Sequence, residues 1–253
     1  MKNRIYLTQY KANLIRLGNN YDGGYLIPKE ITKKIDLLIS FGLGADWSFE
    51  RDFKKINKNI KINCYDHSIN RKFWYEYTLI AIFFFIKNFK NFKNIFNYFK
   101  YKKFFQQKNI NHIKKKLVLK KYNSFDISIN EIIKNYSNEK LFLKIDIEGD
   151  EYRIIDKLKY FKELFGFVIE FHNIDLHHKR LEYFLKKNKN FKIVHASPNN
   201  MGGVNKNNEP IVVEITFINI KKFKNFKKSK FKFINKNKFD YPNDPKKRNI
   251  SLK

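Results

Sequence analysis

"LFLKIDIEGDEYRIID", residues 141–156, joins an apolar stretch to a cluster of acidic side chains. Its first half, LFLKIDIE (141–148), predicts a buried strand, and DEYRIIDKLKYF, which starts at Asp150, predicts the helix behind it. Asp146 and Glu148 are two residues apart, so both side chains are expected on one face of the strand. Five acids in sixteen positions are unusual in a chain whose formal net charge is +29.

Strands and helices alternate on both sides of this stretch. Further strands are predicted at IDLLISFGLG (35–44), KINCYD (61–66), residues 117–119, FGFVIEFH (165–172), FKIVHAS (191–197) and IVVEITFIN (211–219). Ser128 and Glu131 have the capping-box spacing at the start of an intervening helix. The alternation predicts an α/β fold with a mainly parallel, doubly wound sheet. The last two strands, joined by a turn-rich loop, predict an antiparallel terminal pair at its edge.

The chemically unusual residues all lie where predicted strands end. In a doubly wound sheet, ligands bind beyond the carboxyl ends of the strands. The residues at these ends are Gly42 and Gly44, Asp66, Asp146 and Glu148, and Glu170 and His172. Their convergence predicts a functional cleft at this edge of the sheet.

The turn SFGLGADW follows the first strand of this predicted sheet. Gly42 and Gly44 allow a tight turn and a close approach to a ligand, although such turns also occur without ligands. The dinucleotide fingerprint would need a third glycine where Trp47 stands. Asp66 follows about twenty residues later, where an acid can accept hydrogen bonds from a ribose; the alternative is an Asp that caps the next turn. Together these residues predict a nucleoside-containing ligand.

Asp146, Glu148, Glu170 and His172 form two pairs, each two residues apart at the end of a strand. If the two strands are neighbours, the pairs face one cleft. Such a group could take a proton from a hydroxyl or hold a divalent metal ion. The alternatives are acids at a hydrated strand end and a partly buried histidine with satisfied hydrogen bonds.

Composition limits the class of protein. The chain has 253 residues with 43% hydrophobic residues, enough for a sizeable core. A single cysteine, Cys64, indicates a reducing compartment, and no apolar leader starts the chain, so a cytoplasmic location is expected. The longest uncharged apolar stretch, residues 77–86, would span about 15 Å as a helix, half of a roughly 30 Å hydrocarbon core.

Two segments hold most of the excess charge. Residues 68–116 carry twelve Lys or Arg against one acid, and residues 220–253 carry thirteen against two. We therefore expect one domain over 1–219 with a basic insert at 68–116, and a solvated or flexible Lys-rich extension at 220–253. A basic balance favours nucleic acid, anionic lipid or acidic substrates, and a coding bias toward Lys is the alternative without any partner.

The insert has helical spacing. Its aromatic stripe steps by four and three residues along Phe85, Phe89, Phe92, Phe96 and Phe99. One interpretation is a helix that packs this face on the domain. Another is an interfacial helix over residues 77–105 that contacts an anionic membrane at its inner face. Nucleic-acid binding is the third and least favoured interpretation, because aromatic residues at helical spacing suit a buried face better than base stacking.

These motifs carry a resemblance. In the order RLGNNYDGGYLIP, SFGLGADWSFE, YDHS, LKIDIEGDEY, IEFH, SPNNMGG and VEITFIN, the chain from Arg16 to Asn219 resembles the FkbM-type methyltransferases, including relatives with a DGGY segment before the glycine motif. The pattern KIDxEGxE is the most specific part. The resemblance implies a Rossmann-like class I fold with a seven-stranded sheet, S-adenosylmethionine as cofactor, and methylation of a hydroxyl, often on a sugar.

The resemblance also implies roles for individual residues. Gly42 and Gly44 would approach the methionine part of the cofactor, and Asp66, with the adjacent His67, the ribose. Asp146 and Glu148 would lie beside the methyl group, and Glu170 and His172 toward the acceptor. The chain departs from the pattern of many methyltransferases at Ser40–Phe41, where an acid often precedes the first glycine. The acids that could replace it at the cofactor's amino group are Asp22, Asp46 and Glu50.

The sequence therefore predicts an S-adenosylmethionine-dependent methyltransferase that methylates a sugar hydroxyl of a surface glycan or its precursor. Glu148, Glu170 and His172 are the candidates for the base or a metal site, and Asp146 for positioning the cofactor. Two alternatives remain: a basic protein that binds or methylates nucleic acid, and a membrane-surface binding protein with a degenerate site.

Overall fold

Seven strands form one central sheet in the computed structural model, which describes residues 5–87, 92–223, 226–233 and 237–252. The strands of the protein are β1 (Thr8–Lys11), β2 (Leu14–Leu17), β3 (Tyr25–Pro28), β4 (Leu37–Phe41), β5 (Lys61–Tyr65), β6 (Ile110–Ile113), β7 (Lys116–Val118), β8 (Asp126–Ser128), β9 (Leu141–Ile145), β10 (Leu164–Phe171), β11 (Phe191–Pro198), β12 (Val213–Asn219) and β13 (Lys227–Phe233). The helices are α1 (Lys29–Lys34), α2 (Ser48–Ile56), α3 (Arg71–Lys87), α4 (Phe92–Ile95), α5 (Asn97–Phe105), α6 (Ile129–Tyr136), α7 (Glu151–Ile154), which a 3-10 helix continues over Ile155–Tyr160, and α8 (Ile174–Lys187).

The sheet has the order β6-β5-β4-β9-β10-β12-β11. Counted in chain order within the sheet, this is 3-2-1-4-5-7-6. β12 runs antiparallel to both of its neighbours, and the other pairs are parallel. The predicted mainly parallel sheet with an antiparallel terminal pair is confirmed. This is the Rossmann-like fold of class I methyltransferases.

Hydrophobic side chains cover both faces of the sheet. Every residue of β4 and β9 is buried, as expected for parallel strands between two helical layers. On one face, α6, α7 and α8 contribute to a core in which Phe167 stacks on Phe217 with 4.6 Å between ring centroids. On the other face, α1, α2 and the β2–β3 hairpin form the second core. The capping box at the start of α6 is confirmed: Ser128 and Glu131 bond each other's backbone N–H.

The third strand of the sheet is not where the sequence predicted it. Residues 117–119 overlap β7, which pairs with β8 in a small sheet separate from the central one. The place beside β5 is taken by β6, whose sequence INHI lacks the apolar run of a buried strand. Its polar residues are satisfied at the sheet edge, since Asn111 donates to Asn63 over 2.9 Å and His112 Nε2 lies 2.8 Å from the Asp66 carbonyl oxygen.

The basic insert forms a folded-back set of helices rather than one helix with a continuous aromatic stripe. α3 ends at Lys87, and α5 packs against it, with 4.8 Å between the ring centroids of Trp74 and Tyr101. Phe85 is half-buried, Phe96 and Phe99 are exposed, and Phe89 lies outside the described residues. The packing face is therefore set by Trp and Tyr side chains that the Phe spacing does not include. In the described ranges, no helix has the length and apolarity needed to cross a membrane.

The Lys-rich extension packs on the domain, contrary to the expectation of a solvated tail. Its strand β13 pairs antiparallel with β1. Phe223 packs edge-on against Phe165 with 5.2 Å between ring centroids, and Leu252 is buried in the core to which α8 contributes. The sequence pattern did not predict these contacts, because Lys residues alternate with the few apolar residues that form the contacts.

Candidate cofactor and catalytic site

A cleft opens at the carboxyl edge of the sheet, at the predicted position. One part is a cavity of about 290 Å³ around the turn after β4. It is lined by Asp22, Gly23, Tyr25, the turn 42–46, Asp66, Ser68, Lys144, Asp146 and Glu148. A second cavity of about 320 Å³ shares Gly42, Asp66, Ser68, Asp146 and Glu148 with it, and adds His67 and Lys115 among others. The structure thus brings together most of the predicted site residues.

The glycine turn is held from two sides. Gly42 has φ +78°, and a Cβ built there would overlap the carbonyl oxygen of Asp146. On one side, the Lys144 ammonium donates to the Gly42 carbonyl oxygen over 2.7 Å. On the other, Asp66 Oδ2 accepts from the backbone N–H groups of Leu43 (2.8 Å) and Gly44 (3.1 Å). The turn is therefore shaped before any ligand arrives.

Asp66 also caps the turn that follows β5. Its Oδ1 accepts from the Ser68 backbone N–H over 2.8 Å and from the Ser68 hydroxyl over 2.7 Å. Burial alone would raise the pKa of Asp66, but these bonds and those from the glycine turn lower it, so the carboxylate stays ionised. The capping interpretation is confirmed. Contact between Asp66 and a ribose stays a prediction, since the ribose would have to share carboxylate oxygens that already accept bonds from the protein. The neighbouring His67 is exposed and lines the second cavity.

The three acids that could bind the cofactor's amino group lie in different places. Asp46 accepts from the Ser48 backbone N–H over 2.8 Å at the start of α2 and lines the cleft. Asp22 is exposed at its rim. Glu50 does not reach the cleft: it is fully buried behind β4, where Ser40 donates to it and burial raises its pKa. The Glu50 prediction is wrong because its helical position points it into the core.

Lys144 is the main cleft residue that the sequence reasoning missed. Its side chain is 5% exposed, and its Nζ lies 3.9 Å from Asp146 Oδ2 and 5.5 Å from the ring centroid of Tyr25. Burial alone would lower the pKa of Lys144, but Glu50, Asp146 and Glu170 raise it. The Lys144 amine is therefore protonated. A lysine inside the apolar run LFLKI was the available signal, because a buried Lys needs acidic partners.

Asp146 and Glu170 meet at one hydroxyl. Tyr25 Oη lies 3.3 Å from both Asp146 Oδ2 and Glu170 Oε2. Asn199 Nδ2 donates to the other oxygen of Glu170 over 2.9 Å. Burial, and after it the charge of Asp146, raises the pKa of Glu170 to about 7. Tyr25 and Asn199 belong to the DGGY and PNN segments, whose turn-like composition concealed these side-chain contacts.

His172 lies between acids from three elements. Its Nδ1 is 3.0 Å from Glu151 Oε1, and its Nε2 is 3.3 Å from Glu148 Oε2 and 3.7 Å from Glu170 Oε1. Burial alone would lower the pKa of His172, but the bond to buried Glu151 and the neighbouring acids raise it to about 9. At neutral pH this ring is an imidazolium that donates from both nitrogens.

Asp146, Glu148 and His172 also have the spacing of a cation site. One ligand atom from each lies within 4.8 Å of the others. Glu148 has φ +53° and a side chain that is 84% exposed, so it is free to turn toward an ion. Two carboxylates and an imidazole suit a divalent cation, which would replace the proton on Nε2. Metal binding stays a prediction.

A C-terminal residue bonds acids beside the cleft. Glu214 on β12 pairs in register with Glu170 on β10. Asn243 Nδ2 donates to Glu214 Oε1 over 2.7 Å and to Asp22 over 3.4 Å. Burial, and then the charge of Glu170, raises the pKa of Glu214. These contacts could not be foreseen, because they depend on the register of an antiparallel strand and on Asn243, which is 221 residues from Asp22 in the chain.

No protein-family model and no curated protein matches the chain significantly. Among solved structures, the Methanococcus jannaschii fibrillarin pre-rRNA processing protein has 13% identity and a TM-score of 0.38, over 74% of this chain and 67% of that one. The Geobacter metallireducens precorrin-6y C5,15-methyltransferase has 14% identity and a TM-score of 0.37, over 74% and 80%. M. capricolum TrmK, solved with S-adenosylhomocysteine, has 16% identity and a TM-score of 0.38, over 84% and 73%. At these scores the likenesses carry no argument about function, and the FkbM-type resemblance stays a prediction.

Two glycines of the turn provide a matched test of its geometry. Both Gly42 and Gly44 have positive φ, but only at Gly42 would a Cβ overlap another residue. We expect Gly44→Ala to lower the free energy of unfolding by about 1–2 kcal/mol, the cost of a left-handed alanine. Gly42→Ala should lower it by about 3 kcal/mol or more, because the turn must also move away from Asp146. Urea unfolding of both variants measures the difference, and equal losses would contradict the described packing.

Proposed function

We propose that the protein is an S-adenosylmethionine-dependent methyltransferase that transfers the methyl group to a hydroxyl, on a sugar acceptor. The observation that carries the proposal is the charge of the cleft. In a chain of net charge +29, the cavity around the glycine turn is lined by five carboxylates and one ammonium, that of Lys144. The five are Asp22, Asp46, Asp66, Asp146 and Glu148. Such a cleft favours a sulfonium and disfavours the phosphates of a nucleotide.

The position of the cleft supports a nucleoside cofactor. It lies between β4 and β9, which are strands 1 and 4 in the sheet order, where the winding of the fold reverses. Ligands of doubly wound folds bind at this switch point. Gly42 and Asp146 follow these two strands, so a nucleoside over the glycine turn would direct its sulfur toward Asp146.

The second half of the site supports transfer to a hydroxyl. The bound cofactor would supply an activated methyl group: the acceptor oxygen would bond to the methyl carbon while the carbon–sulfur bond broke and its electron pair stayed on sulfur, which would leave S-adenosylhomocysteine. The hydroxyl proton passes to Glu170, which is oriented by Tyr25 and Asn199. His172, held by Glu151, keeps a positive charge beside this carboxylate. Alignment and proton removal are what an already activated methyl donor requires.

The assignment of a sugar rests on the FkbM-type resemblance, and the site adds one consistent feature. Asn199 bonds Glu170, and Glu214 stands beside it in register, so the proposed base lies among hydrogen-bonding groups of the kind that a polyhydroxylated ligand requires. The nucleic-acid alternative has less support, because the acids of the cleft would repel a phosphate backbone. A degenerate site has less support too, since the glycine turn keeps its bonds to Lys144 and Asp66.

Calorimetric titration tests the cofactor. We expect S-adenosylmethionine and S-adenosylhomocysteine to bind with dissociation constants on the order of micromolar, and ATP not to bind because its phosphates meet the acidic lining. Asp66→Ala should weaken both cofactors at least about tenfold, since it frees the glycine turn. Asp36→Ala is the matched control and should bind as the wild type does, because exposed Asp36 precedes β4 at the opposite edge of the sheet. Folded protein that binds ATP but neither cofactor would overturn the proposal.

Glu170→Gln tests the base. The amide keeps the shape of the side chain but cannot take the proton, so methyl transfer should fall by about 10²–10⁴-fold while S-adenosylhomocysteine binding is unchanged. The assay follows labelled methyl groups from S-adenosylmethionine into carbohydrate and RNA fractions of a cell extract, incubated in parallel. Exposed Glu30→Gln on α1 is the control and should transfer normally. Label in RNA would contradict the sugar assignment, and full transfer by Glu170→Gln would contradict the role of Glu170.

A further inference from the structure

The C-terminal half of α3 carries a patch of large apolar side chains on the protein surface. We define the apolar patch as six residues of α3 that are between 39% and 72% exposed. They are Leu79, Ile80, Ile82, Phe83, Phe84 and Ile86. Single exposed apolar residues are ordinary, but a contiguous group of this kind marks an interaction surface. We propose that the apolar patch binds the surface of an anionic lipid bilayer.

The opposite face of α3 attaches the helix to the protein. Trp74 and Ala81 are buried, and Asn97 Nδ2 donates to the Tyr77 hydroxyl over 2.8 Å. Trp74 also packs edge-on against Trp47, next to the glycine turn, with 6.3 Å between ring centroids. Packing on the domain therefore accounts for this face of α3, and the six residues of the apolar patch are at least 39% exposed. The proposal does not depend on the methyltransferase function.

Charge complementarity indicates which partner the patch fits. Residues 71–108 carry nine Lys or Arg and one acid, Glu76. Lys72 lies two helical turns before Leu79 and therefore on the same side of α3, and Lys102 and Lys103 are exposed on α5. Apolar side chains for the acyl boundary, combined with cations for the headgroups, are the features of a helix that lies in a membrane interface.

The same charges argue against other occupants. A second copy of this chain would bring nine further basic residues to the patch, and like charges in an interface are costly. Nucleic acid would match the charge, but four of the six residues of the apolar patch are aliphatic and have no ring to stack on a base. Residues 79–86 extend about 12 Å along the helix, and no described helix is able to cross a membrane. The proposed contact therefore lies along the bilayer surface.

Vesicle co-sedimentation of the full chain tests the proposal. We expect binding to vesicles of phosphatidylcholine mixed with phosphatidylglycerol, and little binding to phosphatidylcholine alone. The triple variant Leu79→Ser, Ile80→Ser, Ile86→Ser should bind at least about tenfold more weakly. Its matched control is Leu119→Ser, Leu176→Ser, Val204→Ser, which changes three exposed aliphatic residues outside the insert and should bind as the wild type does. Circular dichroism checks that both variants are folded.

The charge requirement is tested separately. Lys72→Gln, Lys102→Gln and Lys103→Gln together should reduce binding to the anionic vesicles and its salt dependence. The proposal is overturned if the folded wild type binds neither vesicle, or binds both equally. It is also overturned if the triple Ser variant binds anionic vesicles normally, or if the patch instead mediates a dimer that this variant dissociates in sedimentation equilibrium.

Discussion

The site depends on the interactions of the buried Lys144 ammonium group. It bonds the carbonyl oxygen of Gly42 and lies between acids of the core and of the cleft, Glu50 behind it and Asp146 beside it. A buried acid without a compensating charge would lose its proton only at high cost. Lys144 thus allows several carboxylates to share one sheet edge, and it fixes the glycine turn at the same time.

This arrangement gives the protein two surfaces of opposite character. The cleft is acidic, while the insert and the C-terminal extension carry most of the excess positive charge. Under the two proposals, the first surface would attract a cationic cofactor and the second an anionic bilayer. α3 joins them, because its Trp74 contacts Trp47 beside the glycine turn. The basic extension also contributes to the cleft, where Asn243 bonds Glu214 and Asp22.

Sequence patterns identified the parts of the molecule that local rules determine. Apolar runs ending in glycine or acid located strands β4, β5, β9 and β10, and the capping box marked the start of α6. They failed where distant contacts decide. β6 is stabilised by polar bonds to its neighbour, Glu50 turns into the core, and Lys144, Tyr25 and Asn199 acquire their roles only when the hairpin and loop fold onto the strands. The hydrophobic periodicity of a sequence carries no information about such long-range contacts.

A crystal structure with S-adenosylhomocysteine tests the central claim most directly. The account predicts the nucleoside over the turn from Gly42 to Gly44, the ribose at the edge formed by Asp66, and the thioether sulfur facing Asp146, with the acceptor side toward Glu170 still open. The turn itself should keep its bonds to Lys144 and Asp66, because the protein shapes it in advance. Density for the ligand elsewhere on the protein, or an empty cleft at saturating ligand, would contradict the account.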